Sequence, residues 1–81
     1  MRAYQEDIIS AIYSKKVWGG SNVVVRTENN VTEVFFYGNR IAVINHNTKS
    51  ATFDNCGYNN AATTARINAC KMYCDNYGYT Y

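Results

Sequence analysis

Residues 31–46, VTEVFFYGNRIAVINH, constrain the fold more than any other stretch of the chain. They are two apolar runs separated by Gly38-Asn39. A glycine at the first central position of a two-residue turn can take the positive φ that the twist of paired strands requires, so the stretch is expected to be a β-hairpin. With that turn, Tyr37 lies opposite Arg40, Phe36 opposite Ile41, Phe35 opposite Ala42 and Val34 opposite Val43. Side chains alternate across a sheet, which collects Val34, Phe36, Ile41 and Val43 on one wholly apolar face, the expected core. The other face carries Glu33, Phe35, Tyr37, Arg40, Ala42 and Ile44. A slip of one residue would exchange the two faces. Both strands are apolar enough to be central, so the mixed face is expected to lie under a helix or the tyrosine-rich tail. Left open, its aromatics beside a cation would suit a binding surface.

Around this hairpin the chain reads as α+β: an N-terminal helix, an antiparallel four-stranded β-meander and a C-terminal helix packed on the sheet. Residues 2–16 carry Tyr4, Ile8, Ala11 and Ile12 on one helical stripe, with Glu6 and Asp7 in the first turn and Lys15-Lys16 in the last, as the helix dipole favours. Gly19-Gly20 is expected to stop this helix, and Trp18 to fold back onto the helix or sheet. Residues 22–27, NVVVRT, form a β-branched strand, and 50–54, SATFD, a fourth strand after the hairpin. Asparagines at 29–30, 39, 47, 55 and 59–60 punctuate the elements, because Asn tolerates left-handed backbone and closes Asx turns. The second helix starts near Asn60 or Thr63 and ends before Gly78. It buries Ile67, Cys70, Tyr73, Cys74 and Tyr77, and turns Arg66, Lys71 and Asp75 towards water. The tail, YGYTY, either docks on the sheet edge or frays.

At 81 residues the chain is expected to form one domain, 1–81. A domain of this size buries only roughly 60–65% of its unfolded surface, and a homodimer would widen that margin. A net charge of +2 is too mild for a strongly nucleic-acid-binding surface unless the cations cluster. No run suits a signal peptide or a membrane span, and three cysteines is an odd number, so free thiols in the cytoplasm are expected.

Catalytic chemistry finds no constellation. His46 with Cys56, Cys70 and Cys74 offers zinc-type ligands, but Cys70 and Cys74 stand one helical turn apart rather than on a knuckle, and ordinary core thiols account for them better. A Cys70–Cys74 disulfide is poorly aimed from a helix. His46 with Cys56 lacks an oxyanion-hole motif, and the carboxylates do not pair. Gly19-Gly20 lacks the lysine of a phosphate loop. The expectation is therefore no enzyme, no metal and no cofactor. Phe35, Tyr37 and Arg40 on a sheet face are of the kind that stack single-stranded bases, although only Arg26, Arg40 and Lys49 could surround them.

The segments Gly38-Asn39-Arg40-Ile41-Ala42, Gly57-Tyr58 and Thr63-Thr64-Ala65-Arg66-Ile67-Asn68-Ala69 resemble a family of small proteins of tailed-bacteriophage genomes. The pattern departs here at Asn60 and Ala62, where threonines are common, and in the three cysteines. The resemblance implies a phage origin and a shared feature at residues 63–68. By size and lack of chemistry, the chain looks most like phage anti-defence proteins such as the inhibitors of CRISPR effectors. The expected partner is a host protein or ribonucleoprotein complex. The expected contacts are Phe35, Tyr37, Arg40, Arg66, Tyr77, Tyr79 and Tyr81, since tyrosine and arginine are favoured interface anchors. The alternatives are a single-stranded nucleic-acid binder or transcriptional modulator, and a phage structural or assembly component.

Overall fold

The computed structural model describes the backbone of residues 3–81 and the side chains from Gln5 onward. The expected helix start at Arg2 and the Tyr4 side chain lie outside the described residues. The order of elements is α1 (Ala3–Ser14), β1 (Trp18–Gly20), β2 (Val23–Glu28), β3 (Val31–Phe36), β4 (Asn39–Asn45), β5 (Ser50–Phe53) and α2 (Ala61–Tyr77). The strands form one antiparallel sheet in sequence order. The fold is thus α+β with a helix at each end, as expected, but the sheet has five strands rather than four.

The extra strand comes from Gly19-Gly20, which does not stop the first helix. Helix α1 ends at Ser14 because Lys15 turns left-handed at φ 59°, with the Lys16 amide donating back to the Ala11 carbonyl at 3.3 Å. The chain is then free to extend, and Trp18–Gly20 pairs with Val23–Val25. The Trp18 ring lies over Gly20, where an added Cβ would sit 3.2 Å from the indole. Glycine there is what lets the half-buried Trp18 fold back onto the core.

Three two-residue turns of one kind join the first four strands. Ser21-Asn22, Asn29-Asn30 and Tyr37-Gly38 each place two successive residues at positive φ, the signature of a type I′ hairpin. The third corrects the register expected from the sequence. The turn is Tyr37-Gly38, not Gly38-Asn39, so Phe36 pairs with Asn39 and Phe35 with Arg40. The strands come back into step through a bulge, with Ile41 as the extra residue between Arg40 and Ala42, which pairs with Val34. Ile41 and Ala42 are therefore both buried, and alternation resumes with Ile44 inward and Val43 outward. Val43 had been expected in the core, and Ala42 and Ile44 on the mixed face; the bulge exchanges them.

Both helices pack on the face so formed. Ile8, Ala11 and Ile12 of α1 and Ile67, Ala69, Cys70, Tyr73 and Cys74 of α2 close one apolar cluster with Val23, Val25, Val34, Phe36, Ile41, Ala42, Ile44 and Ala51. Helix α2 is capped at both ends. The Asn60 side chain accepts from the Thr63 amide at 2.8 Å, and Gly78, at φ 75°, turns the chain out of the helix. Residues 79–80 then dock along β5, with Thr80 exchanging backbone hydrogen bonds with Lys49 and Ala51 at 2.9 and 2.8 Å. The tail thus shields one sheet edge.

Candidate functional site

The structure distributes the seven expected contact residues over three places. Phe35 and Arg40 lie on the sheet face opposite the helices, which nothing among the described elements covers, contrary to the expectation of a helix or tail upon it. Glu33 accepts from Arg40 at 2.9 Å and from Arg26 at 3.1 Å, and the Arg26 guanidinium also sits 5.1 Å from the Phe35 ring centre. The Arg40 hydrogen bond, followed by that of Arg26, holds the Glu33 carboxyl below its ordinary pKa. Both guanidiniums on this face are therefore tied to one carboxylate.

Tyr77, Tyr79 and Tyr81 belong to the tail and its helix. The Tyr77 ring stacks beside Tyr13 and Tyr73, at 5.2 and 4.8 Å between centroids, and is half exposed rather than buried. Tyr81 packs edge-on against Phe53 and donates to Asp75 at 3.0 Å. Tyr79 joins a buried polar chain. Its hydroxyl meets His46 Nδ1 at 2.6 Å, His46 Nε2 meets Thr32 Oγ1 at 2.7 Å, and Thr32 meets Thr27 at 2.6 Å. Tyr73 donates to the Tyr79 hydroxyl at 3.3 Å. These contacts fasten the tail, a structural task.

Tyr37 and Arg66 come together at the remaining place, the end of the sheet where the β1–β2 turn, the β3–β4 turn and the β5–α2 loop converge. They bound an open groove of about 790 Å³. Its rim is made of Ser21 and Asn22, Tyr37 and Asn39, and Asn55, Tyr58 and Asn60. Its floor includes Phe36, Ile41 and Thr63. The Arg66 guanidinium lies 4.7 Å from the Phe36 ring centre and donates to the Ala62 carbonyl at 3.2 Å, so Arg66 is half-buried rather than turned to water. The loop is stiffened from within: Asp54 accepts from the Cys56 amide at 2.8 Å and Asn55 from that of Gly57 at 3.0 Å.

Two rim tyrosines are conspicuously exposed, Tyr37 at 68% and Tyr58 at 53%. Tyr37 is also strained. It sits at φ 51°, a region bulky side chains avoid and where Asn or Gly is the usual turn residue. Its ring makes an edge contact with Phe36 at 4.7 Å, yet most of it faces solvent. Strain retained at an exposed aromatic is of the kind found at binding sites. Tyr37→Asn is expected to raise folding stability by up to about 1 kcal/mol, visible as a higher urea midpoint, because Asn tolerates this backbone.

The segments that carried the phage resemblance meet at this groove, through Asn39 and Ile41, Tyr58, Thr63 and Arg66. A family profile described as Kyanoviridae Gp96 protein matches residues 1–80. The chain belongs to this bacteriophage protein family. No curated protein and no solved structure matches it. The phage origin implied by residues 38–69 therefore holds for nearly the whole chain.

Of the contacts expected from the sequence, Tyr37 and Arg66 line this phage protein's groove; Tyr58, Ser21, Asn22 and Asn60, which line it too, were not among them. In the sequence Gly57-Tyr58 reads as part of the family pattern, and the asparagines as turn and cap residues. Among the described residues, no three of His, Cys, Asp and Glu gather as a metal site, and no helix is long and apolar enough to cross a membrane. Burial pushes the Cys70 thiol up to about 12 and the Cys74 thiol to about 11. Cys56 is only half-buried, with its Sγ directed at the Arg40 carbonyl at 3.4 Å. At pH 8 the folded protein is expected to release colour from a disulfide reagent at Cys56 alone. Cys70 and Cys74 should react only after urea unfolding, since their thiolate fraction is on the order of one in a thousand or less.

Proposed function

We propose that this phage protein acts without catalysis, by occupying the surface of a host protein in the host cytoplasm, and that it inhibits a host defence complex in the manner of anti-CRISPR proteins. The observation that carries the reading is the loop end. Three loops present tyrosine, serine and asparagine around one groove, residue types by which antibody loops bind proteins. Tyrosine supplies large contact area with few torsions to immobilise, and the amides adapt to a partner's backbone. A single-stranded nucleic-acid partner is less well supported. The bare sheet face ties Arg26 and Arg40 to one carboxylate, Glu33, and Arg66 is the one charged residue among the described residues lining the groove.

The test is capture of host proteins from lysate on the tagged protein, with and without nuclease, using wild type, Tyr58→Ala and Tyr37→Asn. A stoichiometric host protein that survives nuclease and is lost with both variants is the expected result. Thermal midpoints check that the variants remain folded. Material recovered only when nuclease is omitted, or no specific host protein at all, would overturn the reading.

A further inference from the structure

We infer that the groove between Tyr37 and Tyr58 receives an uncharged, proline-containing segment of the protein partner in the extended polyproline II conformation. The inference rests on the proposed host-protein contact and names the chemistry of what enters.

The groove is complementary to such a segment in charge and in hydrogen bonding. Among the described residues that line it, Arg66 is the one that is charged, and it is already engaged: Nη1 donates to the Ala62 carbonyl at 3.2 Å and the guanidinium lies 4.7 Å from the Phe36 ring centre. What meets an incoming chain is therefore neutral. Asn55 and Asn60 commit their side-chain oxygens to the Gly57 and Thr63 amides, and their Nδ2–H₂ ends have no hydrogen bond among the described residues. Asn22 and Asn39 keep both ends of their amides open, so the surplus of donors comes from Asn55 and Asn60. The rings of Tyr37 and Tyr58, 68% and 53% exposed, supply apolar surface at the rim.

A segment that fits must bring carbonyl acceptors, few donors, apolar surface and no charge. Proline meets those terms, because it keeps its carbonyl and lacks the N–H. In polyproline II no carbonyl is bonded within the segment, and three residues per turn bring the same side of the chain back to the rim. Aromatic-lined grooves take such segments because little conformational entropy is left to lose on docking. A volume of about 790 Å³ is of the size that holds a ligand of a few residues. A nucleic-acid strand would need a cation for each of several phosphates. A neutral glycan brings a donor with every acceptor, which the committed oxygens of Asn55 and Asn60 do not match.

The test titrates the full chain, followed by amide NMR, with four unlabelled probes: a nonapeptide of six prolines, two leucines and a tyrosine, its counterpart with every proline replaced by alanine, maltohexaose, and an oligo-dT of eight nucleotides. The proline peptide should bind at least about tenfold more tightly than the alanine peptide, which must order several freed backbones on docking. Its affinity should hold within about twofold from about 50 to about 500 mM salt, since no ion pair forms. Shifts should gather at Tyr37, Asn55 and Tyr58 and leave Phe35 and Tyr79 unmoved. Tyr58→Ala should weaken binding at least about tenfold, and Tyr58→Phe, which keeps the ring and loses one donor, should weaken it less. The wild-type shift map answers the question even if Tyr58→Ala fails to fold. Absent binding of the proline peptide, equal binding of the alanine peptide, shifts elsewhere, a steep loss with salt, or maltohexaose or oligo-dT taking the groove in its place would overturn the inference. If a host protein is captured through Tyr58 but the proline peptide does not compete with it, the proline-segment inference falls and the host-protein reading stands. If no host protein is captured, both fall.

Discussion

His46→Ala is expected to lower folding stability by about 3–5 kcal/mol, a drop of about 15–30 °C in the thermal midpoint of a domain this size. The total stability of such a domain is only about 4–12 kcal/mol. The effect is large because His46 is the middle of a hydrogen-bonded chain. Tyr73 donates to Tyr79, the Tyr79 hydroxyl meets His46 Nδ1, His46 Nε2 meets Thr32, and Thr32 meets Thr27. Thr32 is 0% exposed, so removing the ring leaves its buried hydroxyl with Thr27 as its one remaining partner of the chain. It also frees Tyr79, whose backbone neighbour Thr80 pairs with Lys49 and Ala51. Faster hydrogen exchange at the Ala51 and Thr80 amides should accompany the loss. Tyr79→Phe removes one hydroxyl and leaves the packing, and is expected to cost about 1–2 kcal/mol. Equal midpoints for His46→Ala and wild type would show that the chain contributes nothing.

The same histidine sets an acid limit. Burial, followed by the charge of Lys15, lowers the His46 pKa below 6.5. The unfolded chain therefore takes up a proton that the folded chain resists. The stabilisation is complete above pH 6.5 and is lost as the pH falls from there towards the depressed folded value. Around His46 stand Thr32 on its own sheet, Tyr73 of α2, Tyr79 of the tail and the Lys15 ammonium, and none of these described neighbours is a carboxylate that would favour the charged ring. A second loss, below the ordinary carboxylate range, follows from Glu33, whose folded pKa is lowered in its turn. Urea midpoints from pH 7.5 to 5 should fall for wild type and stay flatter for His46→Ala; parallel curves would remove His46 from the account.

Ile44→Ala is the second large effect, about 3–4 kcal/mol, against less than about 1 kcal/mol for Val43→Ala. The pair reads out the bulge at Ile41. Ile44 is fully buried among the helices, whereas Val43 stands half-buried on the uncovered face. A hairpin turning at Gly38-Asn39 without a bulge would reverse the two costs, because its alternation points Val43 inward. Urea unfolding of the two variants therefore decides the register as well as the size of the core contribution.

The local rules were legible where one residue type acts alone. Asn60 caps α2 and Gly78 ends it, and Ile67, Cys70, Tyr73 and Cys74 form its buried stripe. The paired apolar runs around residue 38 did make a hairpin, although Tyr37 stands at the groove and not on the face with Phe35 and Arg40. What escaped was any feature set by competition between neighbours. Glycine at 19 and 20 reads as a helix stop, but Lys15 had already turned the chain, and Trp18 needed a bare Gly20 beneath its ring. A tyrosine at a left-handed turn position runs against local preference, so the turn appeared one residue too late.

The sequence by itself determined the two helices, the four longer strands, the core of each helical stripe and the end of α2 at Gly78, because these depend on spacing along one element. Only the tertiary structure decided which sheet face is covered, where the bulge falls and which loops share an end. Those depend on how two helices choose between faces of similar hydrophobicity. Both settled on the side where the Ile41 bulge adds a second apolar residue next to Ala42. That choice left Phe35 and Arg40 uncovered and gathered Tyr37, Tyr58 and Arg66 around the groove.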